Sequence, residues 1–399
     1  MIKFALRRNF IYPLQLLLWN VARDIECIII SHSFNIKTLL IYTPLMFLGE
    51  IFGGLSFYLY QSHFLSKNKR KRKGSVYFMN IKYIKARHNP IKDGPTKIYF
   101  LIFCAAFFDF VQFILSLIIQ KFIYLSDSLE SRLEGYLTIN NAIFYYFVLG
   151  LPLYKHHFFS LIVIGVCIVI IIFTEYIFQD INIFLTYGRL TAAIIITLVC
   201  KFLDALEKSI QKYLFEYNQL SPFLVLLFEG IFGFLLSVIF SIFKNPFDEI
   251  ILFKKNNSDK DFIVLIIALI IYMILSGFKN IFVVLTTKIF TPMTTTFMDY
   301  ILNPFFIIYY FCDGNDFKSN GKSDAFYFIL NLILSLIITF CGGVYNEFMI
   351  LFCCGLERDT HNQIKIRAFT EGPIDLSFIS EEESEEEKSI VSTNDVEKK

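Results

Sequence analysis

The sequence predicts an all-α integral membrane protein with ten transmembrane helices in two inverted five-helix repeats, the first helix being short or degenerate. The class follows from composition, since 55% of the 399 residues are hydrophobic, 48 are Phe and only 18% are charged. The number of helices follows from recurring apolar runs of about 20 residues, the length that an α-helix needs to cross a bilayer. The inverted repeat follows from a short motif that occurs twice. The long apolar runs argue against a soluble fold.

The first span is the weakest of the ten. Its apolar run, 10–19, is short, and Asn20, Arg23 and Asp24 follow before a second apolar run at 27–30. A cleavable signal peptide would need a small-residue cleavage site, which does not follow. We therefore expect a short or interrupted first helix. The other nine spans are 38–60, 98–120, 136–154, 158–178, 188–209, 221–243, 262–283, 291–311 and 326–351.

Basic residues in the connections predict the orientation. Segment 62–97 holds eleven Lys and Arg and a single acid, so the positive-inside rule makes it a cytosolic loop. With ten spans, both termini are then cytosolic and loop 244–261 is lumenal. The sequon at Asn256 lies in that loop, where a glycan could be added. The basic block 69–73 is read as a topology signal, with binding of anionic membrane lipids as the alternative.

The chain divides into two helical halves and a tail. Residues 1–182 form the first five-helix half with its cytosolic basic loop, and residues 183–356 form the second half. Residues 357–399 form a cytosolic tail, acidic and poor in large apolar residues from 371 onward, which predicts disorder there. Ser380 and Ser384 each precede three glutamates, so we expect phosphorylation by acidophilic kinases.

The repeated motif pairs two acids. Segment 47–54, in the second span, resembles segment 227–234, in the seventh, with Ile-Phe-Gly in register at a spacing of 180 residues. The two spans lie five helices apart, and an odd number of helices inverts the second copy, as in many secondary transporters. Glu50 and Glu229 would then be related acids on pseudo-symmetric helices, with small residues beside them that permit close packing.

Enzyme motifs are missing from the sequence. It has no Gly-x-Ser-x-Gly elbow, no phosphate-binding Gly-rich loop and no His-Glu-x-x-His. No Cys/His cluster has the spacing of a metal site, and the pair His156-His157 is read as part of a turn. We expect no enzymatic activity, no cofactor and no nucleic-acid partner.

Several segments together resemble the drug/metabolite transporter superfamily. They are 44–50 on the second helix, 229–233 on the seventh and 342–347 at the end of the tenth. Within that superfamily the chain looks most like the F-type branch of the solute carrier 35 group, relatives of nucleotide-sugar transporters. The resemblance runs from about residue 34 to 367. It implies a central cavity between the halves that opens alternately to each side.

The resemblance implies a secondary transporter or exchanger of a small, anionic or nucleotide-linked solute in the Golgi, endoplasmic reticulum or lysosome. Lys279 is placed to bind an anionic group, or to snorkel to the interface. Asp299 would pair with Lys279 or Lys201, carry a coupling proton or fix packing, on a helix whose Thr294, Thr295 and Thr296 give it a polar face. Asp109 would relay protons or be a structural hydrogen-bond donor. The remaining candidates for solute binding are the charged pair Lys201 and Asp204 and the related acids Glu50 and Glu229.

The chain departs from the family pattern in two helices. The first is short, and the sixth ends Ile210-Gln211-Lys212 where the family has Glu-Glu-Lys. We expect the sixth helix to end near residue 209, which makes Lys208 and Lys212 interfacial. The departures leave open altered specificity, or a non-transporting relative that acts as an interaction module. A homodimer is compatible with either alternative.

Overall fold

The computed structural model describes residues 2–4, 10–34, 41–68, 94–119, 132–150, 153–178, 187–243, 248–313, 322–352, 356 and 360. These contain twelve helices and two short strands. The helices are α1 Ile11–Phe34, α2 Tyr42–Asn68, α3 Pro95–Ile118, α4 Gly135–Leu149, α5 Lys155–Phe178, α6 Tyr187–Glu216, α7 Pro222–Phe243, α8 Asp248–Asn256, α9 Asp259–Ile289, α10 Pro292–Tyr300, α11 Asn303–Asp313 and α12 Lys322–Tyr345. The strands are β1 Ile2–Phe4 and β2 Met349–Leu351.

Five of the described helices are long and apolar enough to cross a membrane. They are α3, α5, α7, α9 and α12. The stretches that qualify as membrane spans are Pro95–Ile118, Lys155–Ile177, Pro222–Phe243, Asp259–Ile289 and Phe326–Tyr345. Large apolar side chains point outward, among them Phe147 at 76% exposure and Phe243 at 83%. Several charged side chains, by contrast, are buried between helices. This inside-out distribution agrees with the predicted class, an all-α membrane-embedded protein.

The prediction that the first helix is short is wrong, although that helix is not among the five described helices that are apolar enough to cross a membrane. Helix α1 is continuous over 24 residues, from Ile11 to Phe34. Its polar residues find partners inside the protein: Arg23 and Asp24 form a salt bridge of 2.7 Å, and Asn20 is 4% exposed and contacts the side chain of Asp299. A helix whose polar groups are bonded within the protein, to each other or to another helix, does not need an unbroken apolar run.

The sixth helix is longer than predicted. It continues to Glu216, seven residues past the expected end at 209, and Lys212 is 2% exposed. The Lys212 ammonium donates hydrogen bonds to the carbonyl oxygens of Lys288 at 3.0 Å and Phe290 at 2.8 Å. Lys212 is therefore not an interfacial residue. It caps the C-terminal end of α9, where a cation is favoured by the helix dipole.

The ninth span, predicted as one helix over 291–311, is broken. Helix α10 ends at Tyr300 and α11 begins at Asn303, with a turn at Ile301 and Leu302. Pro304 explains the break, because its ring would clash with the carbonyl of Tyr300 in a continuous helix and it has no N–H to donate. Phe305 and Phe306 donate their N–H groups to the carbonyl of Leu302 and start the second helix.

The tenth span also ends earlier than predicted, at Tyr345 rather than residue 351. Glu347 adopts a left-handed backbone conformation with φ of 58°, which terminates the helix without a glycine. The chain then forms β2, which pairs antiparallel with β1 in the register Ile2 to Leu351. This small sheet is the one departure from an all-α fold in the described residues.

Helices α2 and α7 pack closely through glycines. A Cβ atom at Gly54 would lie 2.8 Å from the backbone nitrogen of Leu227, and one at Gly230 would lie 3.0 Å from the Cβ of Glu50. A Cβ at Gly233 would contact the ring of Phe47. The contact positions rise along α2 as they fall along α7, so the two helices are antiparallel. Glycine is needed at these positions because any side chain would force the backbones apart.

A buried ion pair with a bridging tyrosine joins α5, α12 and the residues before α4. The Arg132 guanidinium lies 3.2 Å from a carboxylate oxygen of Glu175, and both side chains are almost completely buried. The hydroxyl of Tyr327 donates to Glu175 at 2.6 Å and accepts from Arg132 at 2.6 Å. The tyrosine therefore completes an ion pair that would otherwise lack one of its hydrogen bonds.

We expect Tyr327→Phe to destabilise the protein by about 2 kcal/mol, because it removes a hydroxyl shared by two buried charges and leaves nothing in its place. The measurement is thermal unfolding of the purified protein in detergent. Tyr146→Phe is the matched control, since Tyr146 is 48% exposed on α4. Equal unfolding temperatures for the two variants would show that the hydroxyl contributes nothing to the ion pair.

The predicted glycosylation site lies in the part of the chain that the structure describes, and the predicted phosphorylation sites do not. Asn256 is the last residue of α8, and Ser258 of the same sequon caps α9 by accepting from the Asp261 N–H at 3.2 Å. Asn257 and Ser258 are exposed, as an acceptor site requires. Ser380 and Ser384 lie outside the described residues, as do the tail from 361 onward and the basic block 69–73.

Candidate functional site

One face of α6 carries the polar residues around which the interior is organised. Lys201, Asp204, Lys208 and Gln211 recur at intervals of three and four residues, so they lie along a single stripe. Lys201, Lys208 and Gln211 are each less than 10% exposed, and Asp204 is partly buried. Charges in this position are costly unless each meets a partner, so the neighbouring helices must supply one.

Lys208 and Asp299 are the centre of a polar network that joins α6, α10 and α1. The Lys208 ammonium lies 3.2 Å from Asp204, one turn earlier on α6, and 3.4 Å from Asp299 on α10. Asn20 of α1 donates to the other oxygen of Asp299 at 3.4 Å. Asp299 is thus in an ion pair, which is one of the alternatives that the sequence left open. Its partner, however, is Lys208 and not Lys279 or Lys201. The expectation that Lys208 is interfacial is wrong, since it is 6% exposed and lies between two carboxylates.

Lys201 has a different role. Its ammonium forms a salt bridge of 2.5 Å with Glu134, the residue at the start of α4. Both side chains are mostly buried. The pair holds α6 against the start of α4, so Lys201 has a structural role at one end of the polar stripe on α6.

Carboxyl groups from four helices form a second part of the site. We call Glu50, Asp109, Glu207 and Glu229 the carboxylate cluster; they lie on α2, α3, α6 and α7. Glu50 interacts electrostatically with Asp109 and Glu229, and Glu207 interacts with the same two acids. Like charges gathered in an apolar interior repel one another, so this arrangement needs protons or cations to be stable.

Amide side chains bind three members of the carboxylate cluster. Gln211 donates to Glu229 at 3.0 Å and to Glu207 at 3.1 Å, and Gln112 of α3 donates to Glu207 at 3.3 Å. Asn280 of α9 donates to Glu50 at 2.6 Å. One oxygen each of Glu50 and Glu229 is buried without a hydrogen-bond partner among the described residues. Each of these two oxygens can therefore bind a proton or accept a hydrogen bond from a ligand.

Asp109 and Lys279 differ from the other charged residues of the site. Each is partly buried, and neither makes a hydrogen bond or an ion pair with any other described residue. They interact electrostatically with each other, and Lys279 also interacts with Asp299 and Lys208. Residues that bind a ligand inside a helical bundle often carry a charged group that has no bonded partner within the protein.

Aromatic rings lie beside Lys279. Phe278 stacks on Trp19 of α1 with 4.6 Å between ring centroids. The indole N–H of Trp19 is buried and has no hydrogen-bond partner in the described part of the chain. A pair of stacked rings with an unused N–H donor is a suitable contact for the apolar part of a small organic solute.

The three threonines of α10 do not face this site. Thr294 donates to Asn346, Thr295 shares a hydrogen bond of 3.0 Å with Thr287, and Thr296 accepts from Asn141 at 2.8 Å. The predicted polar face of the ninth span therefore holds α10 against α4, α9 and the end of α12. Its contribution is structural.

The sequence did not identify several residues of the site. Lys208 was assigned to the interface, and Glu207, Gln211, Gln112 and Asn280 were not among the candidates. Polar residues at three- and four-residue spacing along α6 were the available signal for those on that helix. Among the described residues, one group has the composition of a metal site, namely His156, His157 and Glu347.

Comparisons with known proteins give no assignment, since no protein-family model and no curated protein matches the chain. The function must therefore be argued from the arrangement of the side chains. The resemblance noted in the sequence remains a prediction.

Proposed function

We propose that the chain is a secondary transporter that moves a small solute across an endomembrane by alternating access. The observation that carries the proposal is the pair Asp109 and Lys279, two ionisable side chains inside the helical bundle that bond to no other described residue. Structural charges in the same bundle are paired, as Lys201 is with Glu134. A partly buried charge without a bonded partner lowers the stability of the fold, so its presence indicates a functional role.

The ten-helix inverted repeat is part of this proposal, and the contact between α2 and α7 supports it. At the spacing of 180 residues, Phe47 corresponds to Leu227 and Gly54 corresponds to Phe234. The contact of Gly54 with Leu227 is then repeated, with the halves exchanged, by that of Phe47 with Gly233, one residue from Phe234. Contacts that repeat on exchanging partners are expected around a two-fold axis.

Helix packing supports the same symmetry. In the proposed order α1 to α5 form the first half, and α6, α7, α9, the pair α10 and α11, and α12 form the second. Helix α3 packs on α6 and α7, and its counterpart α9 packs on α1 and α2. Helix α4 packs on α5, and its counterpart α11 packs on α12. These contacts of one half thus have equivalents in the other.

The break between α10 and α11 lies beside the charged site. Asp299 is the penultimate residue of α10, and the chain leaves the helix at Ile301. Interrupted helices inside a membrane are tolerated where they line a cavity, and secondary transporters use them at the solute site. The break therefore supports a cavity next to Asp299 and Lys279.

We assign the solute's anionic group to Lys279 and its apolar part to the adjacent rings of Trp19 and Phe278. This charge favours the anionic or nucleotide-linked solutes that the sequence predicted. We assign coupling protons to the carboxylate cluster, because a buried carboxylate with no cation bonded to it is stabilised when a proton neutralises it. Membrane lipids complete the environment, with both termini on the cytosolic side.

The test is uptake into proteoliposomes that contain the purified chain. A thermal-shift screen of nucleotide sugars, nucleotides and organic anions first selects compounds that stabilise the protein, since a ligand that binds only the folded form must do so. Saturable uptake of a selected compound, increased by preloading with a counter-solute or by a pH gradient, is the expected result. No saturable uptake of any stabilising compound would contradict transport.

The carboxylate cluster makes a separate prediction. In Glu50→Gln and Glu229→Gln we expect a pH gradient to lose its effect on uptake, while exchange at equal pH continues, because Gln keeps the hydrogen bonds but cannot carry a proton. Asp259→Asn, an exposed acid at the start of α9, is the control and should respond to the gradient normally. Unchanged stimulation in both glutamine variants would remove these residues from coupling.

A further inference from the structure

We propose that His156, His157 and Glu347 bind a zinc ion. The two histidines lie in the first turn of α5, and Glu347 lies in the turn after α12. Their ligand atoms all lie within 4.8 Å of one another, and Nε2 of His156 is 3.5 Å from Oε1 of Glu347. The three residues come from opposite halves of the proposed transporter, but the inference does not depend on transport.

The surrounding structure fixes these side chains. The ring of Tyr345 stacks on His157 with 4.4 Å between centroids, and the ring of Tyr154 is nearly parallel to that of His156. His156 is 2% exposed, whereas the Glu347 side chain is 15% exposed. The left-handed backbone at Glu347 is uncommon for a residue with a side chain. Glu347 therefore reaches the histidines through a turn that most residues avoid.

The chemistry of the three ligands selects the ion. Two imidazoles and one carboxylate suit Zn²⁺, whereas Ca²⁺ and Mg²⁺ prefer oxygen ligands throughout. Around a tetrahedral zinc, ligand atoms lie about 3.4 Å apart, given bonds of about 2.1 Å. The distance from His156 Nε2 to Glu347 Oε1 is close to this value, and a separation at the 4.8 Å limit for the three ligand atoms must shorten by about 1.4 Å to reach it. A fourth position remains for water.

Zinc would change one existing hydrogen bond. The N–H of Tyr154 donates to Nδ1 of His157 at 3.1 Å. Ligation through Nδ1 replaces that bond, and ligation through Nε2 moves the ring proton to Nδ1 and also ends it. Either way, the start of α5 exchanges a backbone hydrogen bond for a metal bond, and zinc then links α5 to the end of α12.

The experiment uses the full chain, purified without a histidine tag and stripped of metal by a chelator. We expect ZnCl₂ to raise the unfolding temperature and to bind at one ion per chain by metal analysis, whereas CaCl₂ and MgCl₂ should leave the temperature unchanged. His156→Ala and Glu347→Gln should each lose the zinc response. His63→Ala should keep it, because His63 is an exposed histidine on α2.

A second measurement covers the case in which His156→Ala does not fold. Co²⁺ added to the unmodified chain should give the intense visible absorption of a tetrahedral site, and Glu347→Gln should weaken it. The absence of a zinc-dependent shift in the unmodified chain would overturn the proposal. So would a shift in Glu347→Gln equal to that of the unmodified chain.

Discussion

Replacing Lys279 by Met should reduce uptake of the solute by roughly 30-fold or more. The reason is that truncating one member of a buried charge pair costs about 2 to 5 kcal/mol, and each 1.4 kcal/mol is a factor of ten. Because Lys279 bonds to no other described residue, its removal should not break the protein's own ion pairs. The loss is therefore expected in solute affinity, measured as the concentration dependence of uptake, and not in the unfolding temperature.

Three further variants define the role of Lys279. Lys279→Arg keeps the charge and should retain part of the uptake. Lys260→Met removes an exposed lysine at the start of the same helix and should leave uptake unchanged. Asp109→Asn should reduce the response to a pH gradient more than solute affinity. Normal affinity in Lys279→Met would place the solute elsewhere in the protein.

Gly49→Ala and Gly277→Ala should each destabilise the protein by about 3 kcal/mol, the upper end of the usual cost of overpacking. A Cβ at Gly277 would lie 2.6 Å from the carbonyl oxygen of Gly49, and one at Gly49 would contact the carbonyl oxygen of Met273. Both clashes are with backbone atoms, which cannot move aside as a flexible side chain can. Helices α2 and α9 must separate, and thermal unfolding in detergent measures the cost.

Gly165→Ala is the matched control, and its effect should have the opposite sign. A Cβ there would lie 3.8 Å from the Ile139 side chain, an ordinary van der Waals contact. Replacing a helical glycine by alanine without a clash stabilises by up to about 1 kcal/mol. If Gly277→Ala were as stable as Gly165→Ala, the close approach of α2 to α9 would be wrong.

The sequence predicted the membrane class and the approximate positions of most helices, because an apolar run of about 20 residues fits few structures other than a membrane helix. It was least accurate where polar residues interrupt such runs. Helix α1 continues through Arg23 and Asp24, and α6 continues through Lys208 and Lys212. On α6 the partners that make the charges tolerable come from distant parts of the chain, as Asp299 does for Lys208, whereas Arg23 and Asp24 on α1 pair with each other. Hydropathy along one segment cannot contain that information.

The candidate site was predicted in outline but not in its pairing. Glu50 and Glu229 were chosen from the repeated motif, and each is buried and bound by an amide side chain, Asn280 or Gln211. Asn280 was missed because a single amide in a helix carries no periodic signal, whereas Gln211 lies on the polar stripe of α6. The break before Asn303 was missed too, although Pro304 gave a direct signal for it.

Pairing of β1 with β2 has a consequence for how the protein is made. Ile2–Phe4 emerges from the ribosome before every helix described above, and its partner Met349–Leu351 emerges only after them. The first strand must therefore wait for its partner while all the described helices are synthesised and inserted, and the contact closes a loop that contains all of them. Formation of this strand pair would be a late step of biogenesis, and a spectroscopic label on each strand would time its completion.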